Sequence, residues 1–157
     1  MLNASKFSGV KIISLKKWED QRGWLSELWR TDEIAAEEVP LMTYVSLTKP
    51  GICRGPHEHV HQTDLFGFVG PSTFELNIWD NRAGSPTFDQ HETFTGGADE
   101  PFIAIIPPGV VHGYKNVGGI DGMVVNCANK LYKGPGKTEE VDEIRHEADP
   151  NSKFKIL

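Results

Sequence analysis

Three histidines stand at alternate positions in the stretch RGPHEHVHQTD, at His57, His59 and His61, and Asp64 follows three residues later. In an extended chain every second side chain shares a face. His57, His59 and, if the strand runs that far, His61 would therefore project together, while Glu58 and Val60 turn away. Imidazoles grouped in this way suit three kinds of chemistry. They can hold a metal ion if further donors arrive from elsewhere, they can move a proton on a substrate, or they can line a polar interior. A later stretch, IPPGVVHGYKN, turns at Pro108-Gly109 and presents His112.

Short strands must position these residues. The 157-residue chain has 16 glycines and 10 prolines, which punctuate runs rich in Val, Ile, Phe and Thr, the mark of an all-β domain. Strands are expected over 10–15, 24–29, 42–48, 64–70, 73–80, 89–95, 102–107, 110–117 and 122–129. Helical turns are expected over 31–39, opening on Thr31 as a cap, and over 137–148. In the second of these the acid run from Glu139 to Glu147 reads as a solvated helix face. With no repeat and no long linker, residues 1–157 read as a single domain with its barrel core at about 40–130. The fold class that follows is a β-sandwich or a rolled barrel.

Bulk properties narrow the partners. A formal charge of −6 argues against a nucleic acid, which leaves a basic footprint. No apolar run approaches a membrane span, and the opening MLNASKFSG lacks a secretory core. Cys53 and Cys127 sit in apolar segments and read as free thiols in a reducing, cytoplasmic setting. Trp24, Trp29 and Trp79 read as packing residues, and His91 and His146 as exposed.

The two histidine segments resemble the motifs of the cupin superfamily. Gly51, His57, His59, Asp64 and Gly70 fit the first, and Pro107, Gly109, His112 and Asn116 fit the second. That resemblance implies a double-stranded β-helix, the jelly-roll barrel, with short N-terminal and C-terminal helical segments. A closer likeness covers roughly 130 residues: DQRGWLSE at 20–27, Ser46, Thr48, Gly51, CRGPH, DNRAGSPTF at 80–88, IPPGVVHGY and the closing DPNSKFKI. In these the chain resembles the dTDP-4-dehydrorhamnose 3,5-epimerase family.

That family likeness implies an isomerase that acts beside a keto group in deoxysugar biosynthesis, with a nucleotide sugar as partner and no cofactor. It makes His57 the base, Arg54 a holder of diphosphate or sugar, and Ser46, His59 and His112 substrate contacts. Arg22 and Glu27 would reach the nucleotide, with segment 20–29 near the neighbouring site of a homodimer. The chain departs from the family at three points. Asp64 stands near the position of a lysine, Val125 or Asn126 falls where a tyrosine acts, and the aspartate that partners the histidine belongs to a C-terminal segment absent here. Tyr114, Tyr44 or Tyr132 would then have to supply the second proton, and Tyr114 is the expected donor. His59 or His112, protonated beside Asp64, would stabilise the enolate. Two alternatives stand beside this: a metal-dependent cupin using His57, His59, Asp64 and His112, and a sugar-nucleotide-binding cupin without activity.

Overall fold

The punctuated runs fold as strands throughout a computed structural model that describes residues 2–157. In chain order these are β1 (Lys11–Ser14), β2 (Trp18–Asp20), β3 (Gly23–Leu25), β4 (Met42–Thr48), β5 (Cys53–Glu58) and β6 (Asp64–Gly70). They continue as β7 (Thr73–Asp80), β8 (His91–Gly97), β9 (Phe102–Ile106), β10 (Val110–Asn116), β11 (Gly122–Ala128) and β12 (Ile144–Arg145). Two five-stranded antiparallel sheets, ordered β1-β9-β6-β11-β4 and β12-β5-β10-β7-β8, face each other as a jelly roll. No helix among the described residues is long and apolar enough to cross a membrane.

Strand alternation sorts the side chains. Phe66 and Phe68 of β6, Phe102, Ala104 and Ile106 of β9, and Phe74, Leu76 and Ile78 of β7 meet in the barrel interior. Their neighbours point outward and are covered as well. Leu65, Ile103, Ile105 and Cys127 pack under Leu28, Trp29 and Ile34 of the N-terminal segment. Trp79 and Val111 pack under Phe154 and Ile156 of the C-terminal arm. Burial on both faces explains why FIAII is apolar at every position instead of alternating.

Several expectations change. Neither helical segment forms a helix beyond single 3-10 turns, at Ala36–Glu38, Pro135–Lys137 and His146–Ala148. Pro40 stops the first. In the second, Ile144 and Arg145 pair with Glu58 and His57 of β5, so an open sheet edge captures a segment whose charged pattern offered no apolar stripe. The expected strand 24–29 shortens to β3, which closes a hairpin on β2. Trp24 there is half-exposed, whereas Trp29 and Trp79 pack as expected. Cys53 and Cys127 are unpaired thiols.

Two Asp-x-Arg turns recur. Arg22 bonds Asp20 at the exposed hairpin tip, and Arg82 forks onto buried Asp80 at 2.7 Å and 2.8 Å. Ser85 and Thr87 add hydroxyl donors to Asp80. The DNRAGSPTF stretch is thus a turn built around one buried carboxylate.

Candidate active site

His57 and His112 stand opposite each other on β5 and β10, and the register slips between His112 and Tyr114, where Tyr114 pairs with Arg54. This bulge turns His57 into the barrel mouth. Gly55 permits it, since its φ is +79° and a Cβ there would stand 2.8 Å from the His112 carbonyl and 3.1 Å from His57 Nδ1. His59 lies just past β5, and Asp64 opens β6 in the facing sheet. One donor atom from each of His57, His59, Asp64 and His112 lies within 4.8 Å of the others. His61 bends outward and is exposed.

The proton positions follow from the partners. His112 donates Nδ1–H to the Val110 carbonyl at 2.9 Å, and His59 donates Nδ1–H to the Asp142 carbonyl. Both Nε2 atoms then converge on one oxygen, Asp64 Oδ2, at 3.1 Å from His59 and 3.2 Å from His112. A nitrogen lone pair would repel that carboxylate, so the Nε2 of His59 either carries a proton or shares a cation with it. Burial opposes charge on His59, but the bond to Asp64 and the Asp142 carbonyl outweigh it and raise its pKa. Burial likewise opposes charge on Asp64, and the two imidazoles hold it ionised, below the usual carboxylate range.

His57 behaves in the opposite way. Burial first, then the His112 and His59 rings beside it, push its pKa down to about 2. It is a neutral imidazole at physiological pH, with Nδ1 3.8 Å from Glu143 Oε1. A neutral imidazole next to a protonated or cation-bearing His59 is a base beside an electrophile.

A cavity of about 710 Å³ opens over this cluster, and a second of about 410 Å³ adjoins it. Tyr44, His57, Glu143 and Arg145 border both. Arg54, held by Thr48 and the Leu47 carbonyl, lines the smaller cavity together with Ser46 and Tyr114. Tyr132 and Lys133 stand at the rim of the larger.

The sequence-derived site residues divide accordingly. His57, His59 and His112 come together with Asp64, and Arg54 and Ser46 lie beside them. The Tyr114 hydroxyl bonds Ser46 at 2.7 Å, and its ring is packed among Phe66, Phe68 and Phe74. Arg22 and Glu27 border neither cavity of their own chain; Arg22 is spent on Asp20, and Glu27 faces Arg30.

Sequence reasoning missed the C-terminal arm. Asp142 accepts the His61 and Val60 amides, Glu143 faces His57, and Arg145 grips Glu143 at 2.8 Å. The expected solvated helix face is instead a strap that lies along the cavity and brings the Glu143 carboxylate to 3.8 Å from His57. His146, expected in solvent, bonds buried Glu58 at 2.8 Å on the outer side. No local pattern announces these roles, because they depend on pairing with β5.

Comparison with known proteins gives a consistent result. A sequence profile described as dTDP-4-dehydrorhamnose 3,5-epimerase matches residues 4–143. The chain is 33% identical over 132 residues to a probable low-salt glycan biosynthesis epimerase of Haloferax volcanii, covering 83% of this chain and 84% of that one. It is 34% identical over 110 residues to the spore coat polysaccharide biosynthesis protein SpsL of Bacillus subtilis, covering 70% and 72%. Among solved structures it superimposes on a dTDP sugar isomerase from Desulfovibrio desulfuricans with a TM-score of 0.81 and 21% identity, over 99% of this chain and 93% of that one.

Proposed function

The chain belongs to the dTDP-4-dehydrorhamnose 3,5-epimerase family, and from that premise we propose that it inverts a carbon next to the ketone of a nucleotide-linked 4-keto sugar, with His57 as the base. One observation carries this reading: the His57 imidazole stands on the cavity wall with His59 beside it, within 4.8 Å of the donor atoms of His59, Asp64 and His112. A carbon next to a ketone loses its proton when the electron pair can move onto the carbonyl oxygen. His57 takes the proton, and His59, with its raised pKa on the same cavity wall, stabilises the oxyanion, an effect worth about 10²–10³ in rate. An imidazole held at so low a pKa is a weak base. Glu143, closing from 3.8 Å to hydrogen-bond distance, would fix the Nδ1–H tautomer and restore basicity. Arg54 and Arg145 supply planar forks for a diphosphate.

Support for the homodimer comes from the hairpin. Trp18, Trp24 and Leu25 are exposed on it, and Val45 and Leu47 are exposed on the open edge strand β4. A partner covering these would bring Arg22 and Glu27 toward its own site. The free thiols Cys53 and Cys127 support a reducing cytoplasm.

A second reading rests on the convergence of both Nε2 atoms on Asp64. The anchoring of each Nδ1 on a carbonyl is how metal-bound histidines are usually held, so His57, His59, Asp64 and His112 fit a divalent transition metal. A bound cation would polarise the substrate ketone. Elemental mass spectrometry of chelator-free protein distinguishes the two: near one equivalent, lost in His59→Ala, selects the metal.

The test of the main reading is solvent exchange. In D₂O the protein should wash deuterium into the carbons next to the ketone of dTDP-4-keto-6-deoxyglucose. Binding without exchange would point to a sugar-nucleotide-binding protein instead.

A further inference from the structure

Inversion needs a proton delivered to the face of the carbon opposite the base, and the barrel offers a group for that. The four residues common to both cavities are one imidazole, one carboxylate, one guanidinium and one phenol: His57, Glu143, Arg145 and Tyr44. His57 belongs to β5 and Tyr44 to β4, strands of the two opposing sheets. A flat enolate lying between the sheets would therefore present one face to His57 and the other to Tyr44.

The surroundings of Tyr44 suit a donor. Asn126 stands directly across from it on β11 and donates its amide N–H to the Tyr44 oxygen at 2.9 Å. That bond fixes the phenol oxygen and leaves the O–H proton free to point elsewhere. Asn126 is 1% exposed and its Oδ1 has no hydrogen-bond partner, so its amide is committed to Tyr44 alone. Tyr44 is half-exposed, but desolvation on the cavity wall, with the negative charge of Asp64 nearby, raises the phenol above its ordinary value, so the proton is in place across the neutral range. The other two tyrosines are less suitable. Tyr114 is 4% exposed, with its hydroxyl bonded to Ser46, and Tyr132 borders only the larger cavity.

Resting on the epimerase reading above, we infer that Tyr44 is the catalytic acid, placed on the opposite side of the substrate from His57 and held by Asn126. His57 Nε2 removes the proton, and the C–H electron pair becomes the enolate. The enolate carbon then takes the Tyr44 proton on its other face and the ketone re-forms. Imidazolium and phenolate remain, and proton exchange with solvent resets both.

Tyr44→Phe tests this directly, with Tyr114→Phe and Tyr132→Phe as comparators. Each is incubated with dTDP-4-keto-6-deoxyglucose in D₂O, and deuterium uptake and configuration are read separately by NMR. Without the far-face acid the enolate is reprotonated from the side it left. Tyr44→Phe should keep exchange within about ten-fold and lose inversion by about 100-fold or more, a split between the two readouts that neither comparator should reproduce. Inversion by Tyr44→Phe within a few-fold of wild type would overturn the assignment, as would exchange without inversion in Tyr114→Phe. If wild type itself exchanges nothing, the base assignment fails first and takes this one with it. A melting temperature near wild type certifies the fold of Tyr44→Phe. Should it fall, Asn126→Leu, which keeps the phenol and removes its anchor, must lower inversion more than exchange, and equal losses would count against the proposal.

Discussion

One barrel has two ends of opposite character. At one end Phe68, Phe74 and Phe102 interlock, with Phe68 and Phe102 stacked at 4.7 Å between centroids. At the other, His59, Asp64 and His112 are buried as well, with His57 half-buried beside them. Asp64 and Phe68 are on the same strand and the same face, about 14 Å apart at the usual rise per residue. The aromatic end gains free energy by burying apolar surface. The histidine end gains little or none, because desolvating charges offsets most of their attraction. Only a barrel held closed at one end can keep an electrostatically costly site at the other, so the two ends should respond oppositely to substitution.

The largest expected effect is on rate. His57→Asn should lower turnover by about 10³-fold or more, roughly 4 kcal/mol of barrier, with the melting temperature within a few degrees of wild type; steady-state assays and thermal melts read the two. Phe68→Ala should do the reverse, costing about 3–5 kcal/mol of stability in urea unfolding while turnover per folded molecule stays within about two-fold. A Phe68 variant that loses activity without losing stability would dissolve the distinction.

Asp80 sharpens it from outside both ends. Asp80→Asn should cost about 2–3 kcal/mol and leave turnover unchanged, marking the DNRAGSPTF stretch as architecture. Burial opposes ionisation of Asp80, and the bonds from Arg82, Ser85 and Thr87 outweigh it, so its folded pKa is depressed. Its contribution is therefore complete above the unfolded value near about 3.9 and fades as pH falls below that. The stability gap between wild type and Asp80→Asn, followed by denaturant melts, should narrow toward pH 3. The smallest effect belongs to Glu143, which acts through His57. Glu143→Gln should lower kcat by about ten- to thirty-fold, or 1.4–2 kcal/mol, with KM little changed, and Glu143→Asp should recover part of the loss.

What the sequence made legible follows the same division. Strand alternation and turn residues revealed β4, β6, β7, β10 and β11 nearly to the residue, because burial on one or both faces leaves a local pattern. The grouping of His57 with His59 was readable from period-two spacing, and His112 joined them through the likeness to the cupin motifs. Glu143, Asp142 and Arg145 were not, since a segment that looks like a charged helix becomes a strand only by pairing with β5. Tyr44 was one of three candidates until the sheet order set it opposite His57. The DNRAGSPTF stretch carried family likeness and no role, and in the structure Asp80 and Arg82 serve a turn.

The central claim is that His57 is neutral beside a charged neighbour, and imidazole ¹⁵N NMR across a pH series tests it most directly. The account predicts that His57 stays neutral from pH 8 to pH 5, while His59 at pH 7 carries Nδ1–H together with a proton or a cation on Nε2. A His57 that titrates near its ordinary value of about 6.5, or a His59 with a bare Nε2, would contradict it.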